Sequence, residues 1–132
     1  MSVQNHRIAV KAVVRNQEDE VLLIKRAADD VHCPDVWEIP GGRLDNGESP
    51  FGGLQREVSE EVGLEIEIGK PLCVDYFIRQ DGQQITMIIF ECVLVDGEVT
   101  LSHEHTEYKW LGVLEACDKI DHKMRACIEA IC

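Results

Sequence analysis

Apolar residues alternate or cluster in short runs along most of the chain. RIAVKAVVR (7–15) and VLLIKR (21–26) are rich in β-branched residues and predict two strands around the polar turn Asn16 to Glu20. Residues 27–36 read as a polar loop, and Trp37-Glu38-Ile39 as a short strand leading into Pro40-Gly41-Gly42. Residues 71–79 and 83–95 predict a hairpin around Asp81-Gly82, a strong turn signal. A turn at Asp96-Gly97 precedes a short strand near 98–101, and Glu107 to Leu111 reads as another. After Asp121, an N-cap candidate, Met124, Cys127, Ile128 and Ile131 recur at helical spacing and predict a closing helix.

One helix is predicted between the two strand groups. Ser49 suits the N-cap, Pro50 the first helical position and Gly63 the residue past the C-terminus. Phe51, Leu54, Val58 and Val62 fall within an arc of about 80° and predict a buried stripe. Gly52 and Gly53 each cost roughly 1 kcal/mol relative to alanine inside a helix, so a close approach to the backbone is expected there. Strands before and after a central helix, with a helix at the end, predict an α/β fold: a mixed β-sheet with helices on both faces.

The chain of 132 residues suits one domain, residues 1–132, and its 45% apolar content suffices for one core. No apolar run approaches the ~18 residues of a membrane span. The N-terminus, Met1 to Arg7, lacks a secretory pattern, so a soluble cytoplasmic protein is expected. Thirteen basic against 25 acidic residues give a formal charge of −12. That balance argues against binding a nucleic acid polymer or an anionic membrane, but admits a small polyanion bridged by metal ions. Six cysteines form no CxxC pair and are expected to be mostly buried reduced thiols, with Cys33 and Cys132 the more exposed. Apolar residues of the 83–95 strand fit either a covered sheet face or a dimer contact, so monomer and homodimer both stay open.

The predicted helix also carries Arg56, Glu57, Glu60 and Glu61. The three glutamates span an arc of about 100° beside the apolar stripe. Such crowding opposes an isolated helix by a few tenths of a kcal/mol per pair and makes a site for hard divalent cations. Taken alone, a glutamate cluster is also common on solvated helices. The context is more specific: residues 42–64, GRLDNGESPFGGLQREVSEEVGL, satisfy all fixed positions of Gly-x5-Glu-x7-Arg-Glu-U-x-Glu-Glu-x-Gly-U, U being aliphatic.

This segment resembles the signature box of the Nudix hydrolases, and the preceding Trp37-Glu38-Ile39-Pro40-Gly41 resembles what leads into it. The resemblance implies a Nudix-type α/β/α sandwich and Mg²⁺- or Mn²⁺-dependent cleavage of a pyrophosphate bond in a nucleoside-diphosphate-linked substrate. It implies Glu57, Glu60 and Glu61 as metal ligands, Glu48 joining or supporting them, and Arg56 orienting a carboxylate. Gly41 and Gly42 would permit a turn that a Cβ obstructs. Lys25 and Arg26 are candidates for outer phosphates, or plain solubilising charges at a strand end. Ser102 to Trp110 resembles the segment where many such enzymes place a further glutamate. Glu104 is the choice for general base and Glu107 the runner-up, with a helix glutamate such as Glu60 an open alternative. His103 and His105 are expected to be loop histidines near, but not in, the metal site, and Trp110 a core residue.

Substrate preference rests on residues outside the box. The proline that ADP-ribose hydrolases tend to carry is replaced by Arg79, and the tyrosine of diadenosine-polyphosphate hydrolases by Gln80, Asp81 or Gly82. The short chain resembles the MutT-like group, which converts (d)NTP to (d)NMP and pyrophosphate. Hydrolysis of ADP-ribose or a nucleotide sugar is the alternative, and a non-catalytic nucleotide-sensing module is the alternative of another class.

Overall fold

The structure, a computed structural model, describes residues 5–31 and 33–120. The chain begins with β1 (His6–Arg15) and β2 (Val21–Arg26), antiparallel and joined at Arg15↔Val21. Asn16 shapes the turn: its Oδ1 accepts from the N–H groups of Glu18 and Glu20, at 3.1 and 2.9 Å. Short β3 (Trp37–Glu38) pairs with β2, and β4 (Gly41–Arg43) with β1. Helix α1 (Pro50–Val62) leads to the long hairpin β5 (Glu65–Ile78) and β6 (Gln84–Asp96), then β7 (His105–Leu111) and α2 (Val113–Lys119).

β1 runs parallel to β6 from His6↔Gln84 to Arg15↔Val93, so the sheet is mixed, in the order β3-β2-β1-β6-β5. β7 adds to the far side of β2. Because β1 is central, its side chains are buried on both faces from Ala9 to Val14. Val10, Ala12 and Val14 pack with Leu54, Val58 and Val62 of α1, while Ala9 and Val13 pack with Ala116, Cys117 and Ile120 at α2. Each such fully buried valine or leucine contributes about 1.5–3 kcal/mol. The expected α/β sandwich, helices on both faces, is thus observed.

Several boundaries differ from expectation. The run 98–101 is not a strand. Its backbone is spent on the end of α1, with Thr100 N–H donating to Val62 O at 2.9 Å and Ser102 N–H to Glu61 O at 3.0 Å. β5 begins at Glu65 rather than residue 71, and register shifts around Pro71 divide it. Phe51 is 56% exposed instead of belonging to the buried stripe, its ring tilted against Phe90 at 5.7 Å. α2 was not anticipated, because it has only 7 residues and Gly112 at its N-cap offers no capping side chain. The helix expected after Asp121 lies outside the described residues. Cys92 and Cys117 are buried free thiols and Cys33 is exposed. Cys73 is disulfide-bonded, which corrects the reading of reduced thiols at that position. No helix among the described residues is long and apolar enough to cross a membrane.

Candidate active site

Helix α1 is fixed at both ends as its sequence requires. Ser49, in extended backbone, accepts from Gly52 N–H at 3.0 Å, and Gly63 closes the helix at φ 69° with its N–H on Ser59 O. Gly53 meets the predicted close approach, since a Cβ there would lie 2.2 Å from Leu44 Cδ2, whereas Gly52 does not, its nearest neighbour being Ser49 Oγ at 3.4 Å. The loop before the helix is held against its first turns by Arg56. That guanidinium donates to both oxygens of Glu48, at 2.6 and 2.9 Å, and to Glu60 at 3.1 Å, and pairs with Glu57 at 3.2 Å.

Glu48 is consequently an anchor. Both its oxygens serve Arg56, one also accepts from Asp45 N–H at 2.9 Å, and Arg56 holds its carboxyl down at about 2. It is not among the residues lining the cleft beside the helix, and its partners are those of a support for the loop. Arg56 also lies outside the cleft lining and forms ion pairs with Glu48, Glu57 and Glu60.

That cleft encloses about 680 Å³. Glu57, Glu60 and Glu61 line one wall, and Glu104, Arg26, Gly41 and Gly42 line it too. A Cβ at Gly42 would come within 2.8 Å of the Glu57 carboxylate and displace it from its present position. Gly41, at φ 144°, passes so close to β1 that a Cβ would clash with Val10 O, and its N–H donates to Glu61 Oε1 at 2.7 Å. Glu60 is exposed, Glu57 half-buried and Glu61 buried. Desolvation raises the carboxyl of Glu57 and pushes that of Glu61 up to about 7.

Behind this wall lies a polar network that sequence reasoning missed. Glu38, 6% exposed, receives Lys11 Nζ on Oε1 at 3.1 Å, and Arg26 Nε and His105 Nε2 on Oε2 at 3.0 and 2.8 Å. Burial would raise its carboxyl, but Lys11, the His105 hydrogen bond and Arg26 outweigh that and hold it at about 2. His105 opens β7 and is itself buried, which corrects its reading as a loop histidine; His103 is exposed. One signal was available: Lys11 shares the face of β1 that carries Ala9 and Val13, and a lysine on a buried face needs a partner.

Two further candidates face elsewhere. Lys25 pairs with Glu107 at 3.3 Å across β2 and β7, and neither lines the cleft. Only Arg26 of the expected phosphate contacts is brought to it, joined there by Arg7, Arg43 and Arg79. Trp110 packs against the core on the α1 side.

A divalent cation fits this donor set. The carboxylates of Glu57, Glu60 and Glu61 offer hard oxygen donors, burial leaves Glu61 short of compensating charge, and the buried His105 Nδ1 has no hydrogen-bond partner among the described residues.

Carboxylates and arginines lining one cleft suit a polyphosphate bound through a metal ion. The profile of the NUDIX domain matches residues 5–131. The asymmetrical bis(5'-nucleosyl)-tetraphosphatase of Mus musculus is 33% identical over 120 residues, covering 86% of this chain and 79% of its own. Nucleoside triphosphatase NudI of Enterobacter sp. (strain 638) is 35% identical over 115 residues, covering 80% and 81%. The crystal structure of a MutT protein from Methanosarcina mazei Go1 superposes with a TM-score of 0.84 at 28% identity, over 98% of this chain and 94% of that one. The chain belongs to the Nudix family, in its MutT-like group, and is an enzyme acting on pyrophosphate bonds.

Proposed function

We propose that the protein hydrolyses nucleoside triphosphates to the monophosphate and pyrophosphate, with Mg²⁺ or Mn²⁺ held by Glu57, Glu60 and Glu61. One observation carries the reading: those three carboxylates share a cleft with Arg7, Arg26, Arg43 and Arg79. Cations at the rim draw the polyphosphate in although the chain bears −12 overall. A divalent ion held there would supply charge neutralisation and Lewis acidity at the scissile diphosphate. Arg26, steadied by Glu38 and Asp30, contacts an outer phosphate. Glu104 takes the proton of the attacking water as its oxygen bonds to phosphorus and the bridging P–O bond breaks. Trp37 and Phe77 add aromatic surface for the nucleoside.

The cleft volume lies within the range for a single small ligand. A second reading, cleavage of dinucleoside tetraphosphates, is favoured by the likeness to the mouse tetraphosphatase. A product screen separates the two, run over triphosphates, dinucleoside tetraphosphates, ADP-ribose and nucleotide sugars with Mg²⁺ or Mn²⁺. The expected result is pyrophosphate and monophosphate from triphosphates. Turnover confined to dinucleoside tetraphosphates, giving a triphosphate and a monophosphate, would establish the second reading. No turnover of any compound would defeat both.

A further inference from the structure

We propose that His105 Nδ1 is a direct ligand of the divalent ion that Glu61 holds, making the centre a mixed nitrogen–oxygen site. The inference rests on the metal-dependent reading above and specifies its ligands. It begins with the ring's other nitrogen. Nε2 lies 2.8 Å from Glu38 Oε2, and Glu38 already takes Lys11 and Arg26. A carboxylate surrounded by cations only accepts, so Nε2 carries the hydrogen, and in the neutral ring Nδ1 is then the acceptor nitrogen.

That acceptor is buried and has no hydrogen-bond partner among the described residues. It faces Glu61 Oε2 at 3.9 Å, beyond hydrogen-bond range. The second Glu61 oxygen is occupied by Gly41 N–H. With the ring neutral and Glu61 ionised, two electron pairs confront each other in a place where the imidazole is 2% exposed and the carboxylate 9%. An unmet buried acceptor costs on the order of 1–3 kcal/mol, and a cation between the two atoms satisfies both. One ligand atom from each of Glu38, Glu61 and His105 lies within 4.8 Å of the others.

Within that trio the roles divide. Glu38 is committed to two cationic side chains and the ring, which leaves it behind the histidine rather than on the metal. A ligating histidine that donates its remote N–H to a buried carboxylate is the usual arrangement in metal sites, because the carboxylate fixes the tautomer and ring orientation. Imidazole also shifts preference away from Mg²⁺ toward transition metals.

The test is pulsed electron paramagnetic resonance of the full chain loaded with Mn²⁺. The expected result is modulation from a directly bound ¹⁴N that changes to ¹⁵N when histidine alone is labelled. It should vanish in His105→Gln, checked for fold by circular dichroism, and persist in His103→Gln. His105→Asn, closer to imidazole in shape, repeats the assignment if the glutamine variant does not fold. By calorimetry, His105→Gln is expected to weaken Mn²⁺ about tenfold and Mg²⁺ less. Mn²⁺ bound without nitrogen modulation, or modulation surviving in both His105 variants, would overturn the histidine ligand and leave the hydrolase reading intact. Failure to bind Mn²⁺ at all would overturn both.

Discussion

Glu38 and Glu61 are almost equally buried, at 6% and 7% exposed, and both approach the imidazole of His105. Their carboxyl groups nevertheless move in opposite directions. At the β2–β3 end of the site, Lys11 and Arg26 reach Glu38 and hold it at about 2. At the C-terminal end of α1, Glu61 has one backbone N–H and distant charges, and burial pushes it up to about 7. Burial sets the size of the problem and the partners set its solution. Glu38 is a compensated structural anion, while the charge of Glu61 is left largely uncompensated, a condition that a bound cation would relieve.

Breaking the compensated side should cost most. Glu38→Gln leaves the buried Lys11 without its counter-ion, while Arg26 keeps Asp30, and is expected to lower stability at pH 7 by about 3 kcal/mol in urea unfolding. Glu38 titrates lower folded than unfolded, so its contribution is complete above about 4.5 and is lost as pH falls toward about 2. The deficit of the variant should therefore shrink across that window. A constant deficit would show that Glu38 acts through packing instead.

Glu61→Gln should do the reverse in metal-free protein. The folded carboxyl titrates near 7 and the unfolded one near 4.5, so Glu61 costs nothing below about 4.5 and its penalty grows until about pH 7. The variant is expected to be about 3 kcal/mol more stable than the parent at pH 8 and equal to it at pH 4. Saturating Mn²⁺ should reverse the order at pH 8, because only the parent binds it well. If the two proteins melt alike at every pH, Glu61 is better compensated than its surroundings indicate.

The same contrast recurs in milder form among exposed residues of one segment. Glu107 is paired with Lys25, whereas Glu104 lines the cleft. Glu104→Gln is expected to lower kcat about 10²-fold, and Glu107→Gln less than about twofold, in pyrophosphate-release assays. The opposite ranking would move the general base to Glu107.

Much of this was legible in sequence because the decisive signals were local. The caps Ser49 and Gly63, the Asp81-Gly82 turn and the glutamate spacing of α1 are properties of a few neighbouring residues. Gly53 too declared itself, since a glycine inside a helix calls for something packed against it. The Glu38–Lys11–His105 network was not legible because three separate strands bring its members together. Strand pairing decides which side chains meet, and periodicity alone does not report it. The same limit hid the parallel β1–β6 pairing, and the bonds from Thr100 and Ser102 to the end of α1 turned an apparent strand into a strap.

That pairing bears on how the enzyme comes into being. β1 is made first, yet the neighbour that buries it begins at Gln84, and β7, which delivers Glu104's segment and His105, comes later still. During synthesis the carboxylate helix is complete well before the strands that surround it, so acidic side chains wait in solvent while a hydrophobic first strand lacks its partner. Long-range closure of this kind slows folding. It also means that no fragment ending before β7 can assemble the cleft, and that affinity for metal should arrive late and abruptly as the nascent chain lengthens.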